Sequence, residues 1–314
     1  MSVVQAIRRL IPQSAKNRLR QRTTPWRIAN LLSPALPPSV CVDVGASHYP
    51  HVNWLVMLNA PETRWLAVEP NEENLYYVKN WAWKSAISTC TTGLSRDGGA
   101  QTLHITNVDT GSSLLPPEIP ASMQHRVTNL SYFFPVTERR IETLTLPQAI
   151  AGLPADAPVF VKLDTQGTEL SILEGAAELF DARRIVGVEL EATLLAQPLM
   201  KGSGKFWQVC QFMEARGFEL LHVKLVQAVG PDGSEGRKRR RYLNECDAVF
   251  ALRVDVAASL PVNYRAGLLA FYTTYALYDE ALALLQRDAE LSAMLGKRGA
   301  DVAALIATLE SAPQ

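Results

Sequence analysis

Hydrophobic positions recur along the chain with two different periods. Residues 2–12 place Val3, Val4, Ile7, Leu10 and Ile11 at helical spacing, with Arg8 and Arg9 beside the stripe, which predicts a short basic amphipathic helix. Pro34, Pro37 and Pro38 close this N-terminal arm, residues 1–38. From Ser39 onward, short apolar runs alternate with helical stretches. Val40–Val44, Trp65–Val68 and Ala86–Thr91 read as strands. Residues 51–59, preceded by Pro50, and residues Glu72–Trp83 read as the helices between them. This order predicts a parallel sheet with right-handed crossovers.

Residues 95–147 interrupt the alternation with β-like pieces, Gln101–Thr106 and Phe133–Leu144, and the segment Gly111-Ser112-Ser113-Leu114-Leu115. An interruption of this length predicts a lid or a binding loop. Strands then resume at Val159–Leu163, Ile185–Leu190, Phe218–Val226 and Asp247–Arg253. One helix follows Gly167, with Leu170, Leu173, Ala177 and Phe180 on one face. Another spans Phe206–Arg216 and stops at Gly217. The polar turn Pro231–Arg241 predicts a hairpin whose final strand is antiparallel. Residues 260–314, rich in Ala and Leu, predict a helical pair packed on the domain or on a second subunit. The fold class is therefore α/β: a Rossmann-like seven-stranded sheet over residues 39–255, an insert between its third and fourth strands, and a helical C-terminal tail, residues 256–314.

Composition narrows the function classes. Lys plus Arg and Asp plus Glu number 31 each, so no global field points to nucleic acid. Locally, no acid precedes Asp43, and Arg237–Arg241 is an unbroken basic run; either feature suits an anionic surface or a solvated face. The four cysteines form no C-x-x-C pair or zinc spacing, which predicts buried free thiols in a reducing compartment. Arg8 and Arg9 break any signal-peptide core, and the longest uncharged run near the C-terminus, Ala266–Tyr278, is too short for a membrane span. The expected location is the cytoplasm, with the basic arm either a peripheral contact to the inner face of the membrane or packed on the protein itself with its arginines in solvent.

The chemistry concentrates at the strand ends. The first βα turn, Asp43-Val44-Gly45-Ala46-Ser47-His48-Tyr49-Pro50, has one glycine where a dinucleotide fingerprint needs three. This weakens a NAD(P) reading. S-adenosylmethionine (SAM) lacks a pyrophosphate and needs fewer glycines, and its positive groups favour a nearby Asp. Glu69 ends the second strand and can accept both hydroxyls of a ribose, a feature common to NAD and SAM sites. Asp164 ends the fourth strand, where the sheet order should reverse, and shares a face with Lys162. It can orient or deprotonate an acceptor hydroxyl, or simply cap the next helix. His48 and His125 are alternative bases, although each also reads as a surface histidine. Asp164 with Glu189 or Glu191 would suit a hard cation, but carboxylates are common at such strand ends, and no metal is expected.

These residues resemble the FkbM family of methyltransferases. Val42-Asp43-Val44-Gly45-Ala46-Ser47 resembles its D-V-G-A-N turn, Val68-Glu69-Pro70-Asn71 its E-P-N motif, and Gly111-Ser112-Ser113 a G-S-S segment. Val161 to Gly175 is similar to its K-x-D-x-E-G-x-E-x-x-x-L-x-G signature. The resemblance implies SAM as cofactor, held by Asp43, Gly45, Ser47, Glu69, Pro70 and Asp164. It also implies O-methylation of a sugar hydroxyl in a glycan or natural product, with Asp164, Gln166 and Gly167 lining the reaction site. Gln166 stands where Glu is commonest, and His48-Tyr49-Pro50 departs from the family turn. The alternatives are a non-catalytic partner protein of the same fold that assembles through residues 260–314, or a NAD(P)-dependent enzyme; the C-terminal helices also suit a homo-oligomer contact.

Overall fold

A computed structural model describes residues 23–47, 50, 52–76, 80–119, 130–227 and 243–313. The basic helix expected over residues 2–12, the run 237–241, His48 and His125 lie outside them. The chain enters through helix α1 (Thr24–Leu32), then β1 (Ser39–Val44), a single-turn α2 (Leu55–Leu58), β2 (Thr63–Val68) and β3 (Ala86–Cys90). The insert supplies β4 (Gly93–Leu94), β5 (Gly99–Thr106) and β6 (Pro135–Leu144), followed by α3 (Leu146–Ala149). The second half contains β7 (Val159–Leu163), α4 (Glu169–Gly175), α5 (Ala177–Asp181), β8 (Ile185–Thr193), α6 (Phe206–Glu214), β9 (Phe218–Gln227) and β10 (Leu243–Leu252). Helices α7 (Val254–Ala257), α8 (Val262–Thr274), α9 (Tyr278–Arg287), α10 (Ala289–Lys297) and α11 (Val302–Glu310) end it.

Seven strands form one sheet in the order β3-β2-β1-β7-β8-β10-β9. Its pairs are parallel except for β10, which runs antiparallel to both β8 and β9. The chain thus makes the expected seven-stranded α/β sheet with a reversed last strand. β1 is buried at every position, as are four of the five residues of β7, so these strands read as continuous apolar runs rather than alternating ones. The insert folds into a second sheet, β4-β6-β5, in which β5 and β6 are antiparallel.

The two faces of the main sheet are covered differently. On one face, α5 and α6 pack through Phe180, whose ring meets those of Phe212 and Phe218. Right-handed crossovers put the connections after β1 and β2 on the opposite face. Among the described residues those connections are short: a 3-10 turn at Val52–Trp54 with the four-residue α2, and a 3-10 turn at Glu72–Asn74. Helix α8 fills the space. Its Phe271 stacks on Phe160 of β7 at 5.3 Å and meets Trp54 edge-on at 5.9 Å. A β-carbon at position 187 of β8 would lie 2.8 Å from the Phe271 ring, so Gly187 is what lets the helix lie this close. The C-terminal region is four longer helices rather than the expected pair, and its Leu269, Phe271, Leu305 and Leu309 belong to the same core as the sheet. The expected N-terminal arm likewise ends in structure: α1 buries Ile28, Ala29 and Leu32 and packs on α11.

Two expected helices differ from the observed ones. The stretch after Gly167 breaks into α4 and α5, and the break at Gly175 brings the backbone against Arg96; a β-carbon there would sit 2.3 Å from the Arg96 carbonyl oxygen. Residues 80–83, expected to end a helix reaching Trp83, are not helical, because Trp81 turns its indole N–H to the Ser85 carbonyl at 2.8 Å and packs on Trp65. Among the described residues, no helix is long and apolar enough to cross a membrane.

Candidate functional site

From β1 the chain moves to β2 on one side, and from β7 to β8 on the other, so the sheet order reverses between β1 and β7. In open α/β sheets a ligand crevice opens at this point, beyond the carboxyl ends of the strands. A cavity of about 510 Å³ lies there. Asp43, Gly45, Ser47, Glu69, Pro70 and Asp164, the six residues expected around a cofactor, all line it. Leu103, Ile105 and Arg139 of the second sheet line it from the other side, so the insert is the roof of the cavity.

The backbone geometry explains the first turn. Gly45 has φ +78°, and a β-carbon on it would lie 1.9 Å from the Asp164 carbonyl oxygen. The turn after β1 therefore touches the end of β7, which only a glycine permits. Asp164 N donates to the Val44 carbonyl at 3.0 Å, and Gly45 N to that of Val68 at 3.0 Å, which locks three strand ends together.

Charge is organised around Lys162. Its Nζ lies 3.4 Å from Asp43 Oδ1 and 3.6 Å from Asp164 Oδ2. Burial alone would lower the pKa of this ammonium, but the carboxylates of Asp43, Asp164 and Glu189 outweigh it and raise it. Burial pushes the Glu69 carboxyl above its ordinary value, opposed by the Asn71 N–H, which donates to Oε1 at 2.8 Å.

The turn Asp164–Thr168 is held by residues whose roles sequence reasoning did not assign. Glu169 is buried, and its carboxylate accepts from Thr165 N at 2.8 Å, Thr165 Oγ1 at 3.0 Å and Gly167 N at 2.9 Å. Ser113 of the G-S-S segment donates to the Gln166 carbonyl at 2.9 Å and accepts from Leu115 N at 3.1 Å, tying the insert to the turn. Gln166 itself adopts φ +56°, a conformation uncommon outside glycine and frequent at functional sites. It does not line the large cavity. Its Nε2 points the other way and donates to Glu191 at 2.8 Å and Asp164 at 3.2 Å. It borders a second, smaller recess with Gly167, Glu191, Thr193, Asn244 and Glu245. Glu189, weighed as a cation ligand with Asp164, is committed elsewhere: its Oε2 accepts from Trp54 Nε1 at 3.1 Å and the Tyr275 hydroxyl at 2.6 Å. Among the described residues, no group of three or more His, Cys, Asp or Glu could hold a metal ion. All four cysteines are free, Cys41 and Cys246 fully buried and Cys90 and Cys210 partly so.

No curated protein matches the chain. Among solved structures, the precorrin-6y C5,15-methyltransferase of Geobacter metallireducens is 16% identical, with a TM-score of 0.34 over 73% of this chain and 88% of that one. A SAM-dependent methyltransferase of Methanosarcina mazei is 9% identical, with a TM-score of 0.30 over 72% of this chain and 96% of that one. The family model of the methyltransferase FkbM domain matches residues 43–220, more than half of the 314 residues and the span that holds Asp43, Glu69, Asp164 and Glu169. The chain therefore belongs to the FkbM methyltransferase family.

Proposed function

We propose that this methyltransferase uses SAM and transfers its methyl group to a hydroxyl of a sugar, in a glycan or a natural product. One observation carries the reading: Glu69 at the end of β2 and Asp164 at the end of β7 line a single cavity at the point where the sheet order reverses. The volume of about 510 Å³ is within the ~300–1,000 Å³ usual for small-molecule sites. The donor and acceptor set fits SAM. The Glu69 carboxylate would accept from the two ribose hydroxyls. Val68, Leu94, Leu103 and Ile105 offer an apolar surface for the adenine. Asp43 shares its charge with Lys162, so Asp109 and Asp164 add to the negative side of the cavity facing the ammonium and sulfonium. When bound, SAM supplies an electrophilic methyl group on a positively charged sulfur.

The residues of the chain align and relieve the acceptor. Asp164, held between Lys162 Nζ and Gln166 Nε2, accepts a hydrogen bond from the acceptor hydroxyl and keeps its oxygen in line. The Glu169 and Ser113 contacts fix the backbone of that turn, so the carboxylate is placed before the acceptor arrives. The roof of the insert excludes water, which strengthens these electrostatic interactions.

The test is production of S-adenosylhomocysteine and a one-methyl mass increase on a sugar acceptor. In the Asp164→Asn variant, turnover should fall by about a hundredfold or more, as for loss of a positioned acid–base group. Its affinity for SAM should change by less than about tenfold. Turnover at the wild-type rate would make Asp164 structural.

A further inference from the structure

The recess beside Gln166 has a composition that the methyl-transfer site does not use. It is about 40 Å³, less than a tenth of the large cavity, so it receives a small head group rather than a ring. It is one turn of chain from the SAM cavity: Asp164, Thr165 and Thr168 line the large cavity, whereas Gln166, Gly167 and Glu169 line the recess. Two of its walls are the carboxylates of Glu191 and Glu245, on the antiparallel neighbours β8 and β10. A third lining residue, Asn244, is only 9% exposed, and its Oδ1 is buried with no hydrogen-bond partner. Leaving such an oxygen unsatisfied costs about 1–3 kcal/mol, which a donor from outside the chain would recover.

The polar groups open to a ligand here are acceptors. The one donor aimed at the carboxylates, Gln166 Nε2, is shared between Glu191 and Asp164. Among the described residues, Lys162 is engaged with Asp43 and Asp164, and Lys224 with Asp247 at 2.8 Å. Burial, then the neighbouring Asp164, drives the Glu191 carboxyl well above its ordinary value, and Glu245 is pushed up to about 6 for the same reasons. Among the described residues, neither has a cationic side chain as an ion-pair partner. A divalent ion is less suited than an ammonium, because the Gln166 amide already occupies the space between Asp164 and Glu191.

We propose that this recess binds a primary ammonium group of the acceptor, so that the substrate is an amino sugar or a similarly amine-bearing polyol rather than a neutral or acidic glycan. This rests on the methyl-transfer reading. The three N–H donors of an ammonium would meet Glu191, Glu245 and the orphaned Asn244 oxygen, while a hydroxyl elsewhere on the molecule lies at Asp164.

The experiment titrates glucosamine, glucose and glucuronic acid separately into the full chain saturated with S-adenosylhomocysteine, by ligand-observed NMR. Glucosamine should bind at least about tenfold tighter than glucose, and glucuronic acid most weakly. Glu245→Gln and Asn244→Ala should each remove most of that preference while leaving the S-adenosylhomocysteine affinity near wild type, and Glu245→Gln should also leave the melting temperature at pH 7 near wild type. Equal binding of glucosamine and glucose, no binding of either, or preference for glucuronic acid overturns the proposal. So does Mg²⁺ binding that Glu245→Gln abolishes without any amine preference. Failure of S-adenosylhomocysteine to bind at all is a different result: it refutes the methyl-transfer reading and takes this proposal with it.

Discussion

Replacing Lys162 by Met tests whether the carboxylates at the switch point depend on one cation. The side chain of Asp43 is 4% exposed and that of Lys162 19%, with 3.4 Å between charged atoms. At an effective dielectric constant of ~20, two unit charges at that distance attract by about 5 kcal/mol, much of it offset by the cost of burying them. The second contact, to Asp164, adds little, because that carboxylate is 44% exposed and screened by water. Lys162→Met removes the attraction but leaves the Asp43 charge buried, so the loss of stability at pH 7 should be roughly 3–5 kcal/mol. Adding Asp43→Asn removes the stranded charge. The double variant should be about 1–3 kcal/mol more stable than the sum of the two single losses predicts. Urea unfolding followed by circular dichroism measures all four corners of the cycle. A Lys162→Met loss below about 1 kcal/mol, or strict additivity, would refute the reasoning.

Two further outcomes follow from the packing and the charges. Phe271→Ala empties a fully buried site between Trp54, Phe160 and Gly187 and should cost about 3–5 kcal/mol in urea unfolding; a loss near zero would mean that the C-terminal helices are not part of the core. Glu245, raised from 4.5 to about 6, binds its proton more tightly in the folded chain. Its contribution is therefore fully present below pH ~4.5 and is lost as pH rises through ~6, about 2 kcal/mol at most. Glu245→Gln should flatten that part of the stability curve, and an unchanged curve would show that Glu245 titrates normally.

The sheet was legible because its central strands are nearly continuous apolar runs, Val40–Val44 broken only by Asp43 and Val159–Leu163 only by Lys162. The cavity at the switch point was legible from Asp43, Glu69 and Asp164, which lie at or next to strand ends and line it. What sequence could not show depends on contacts between distant segments. Gly187 reads as an ordinary strand residue until Phe271, 84 positions later, is seen to need its missing β-carbon. Glu169 and Ser113 lay inside recognised motifs without a role, because each acts by bonding backbone in the turn Thr165–Gly167. The helix expected over Glu72–Trp83 had acceptable periodicity, but the tertiary partner Trp65 claims Trp81. Gln166 belongs to the signature that implies the reaction site, and only its hydrogen bonds to Glu191 and Asp164 show that its side chain borders the neighbouring recess.

Calorimetric titration of SAM into the wild-type chain and into Glu69→Ala tests the central claim most directly. Wild type should bind SAM and not NAD. The variant, folded to the same circular dichroism spectrum, should bind more weakly by about 1.5–3 kcal/mol, a loss of roughly tenfold to over a hundredfold. Absence of SAM binding by the wild type, or an unchanged dissociation constant in the variant, would contradict the account.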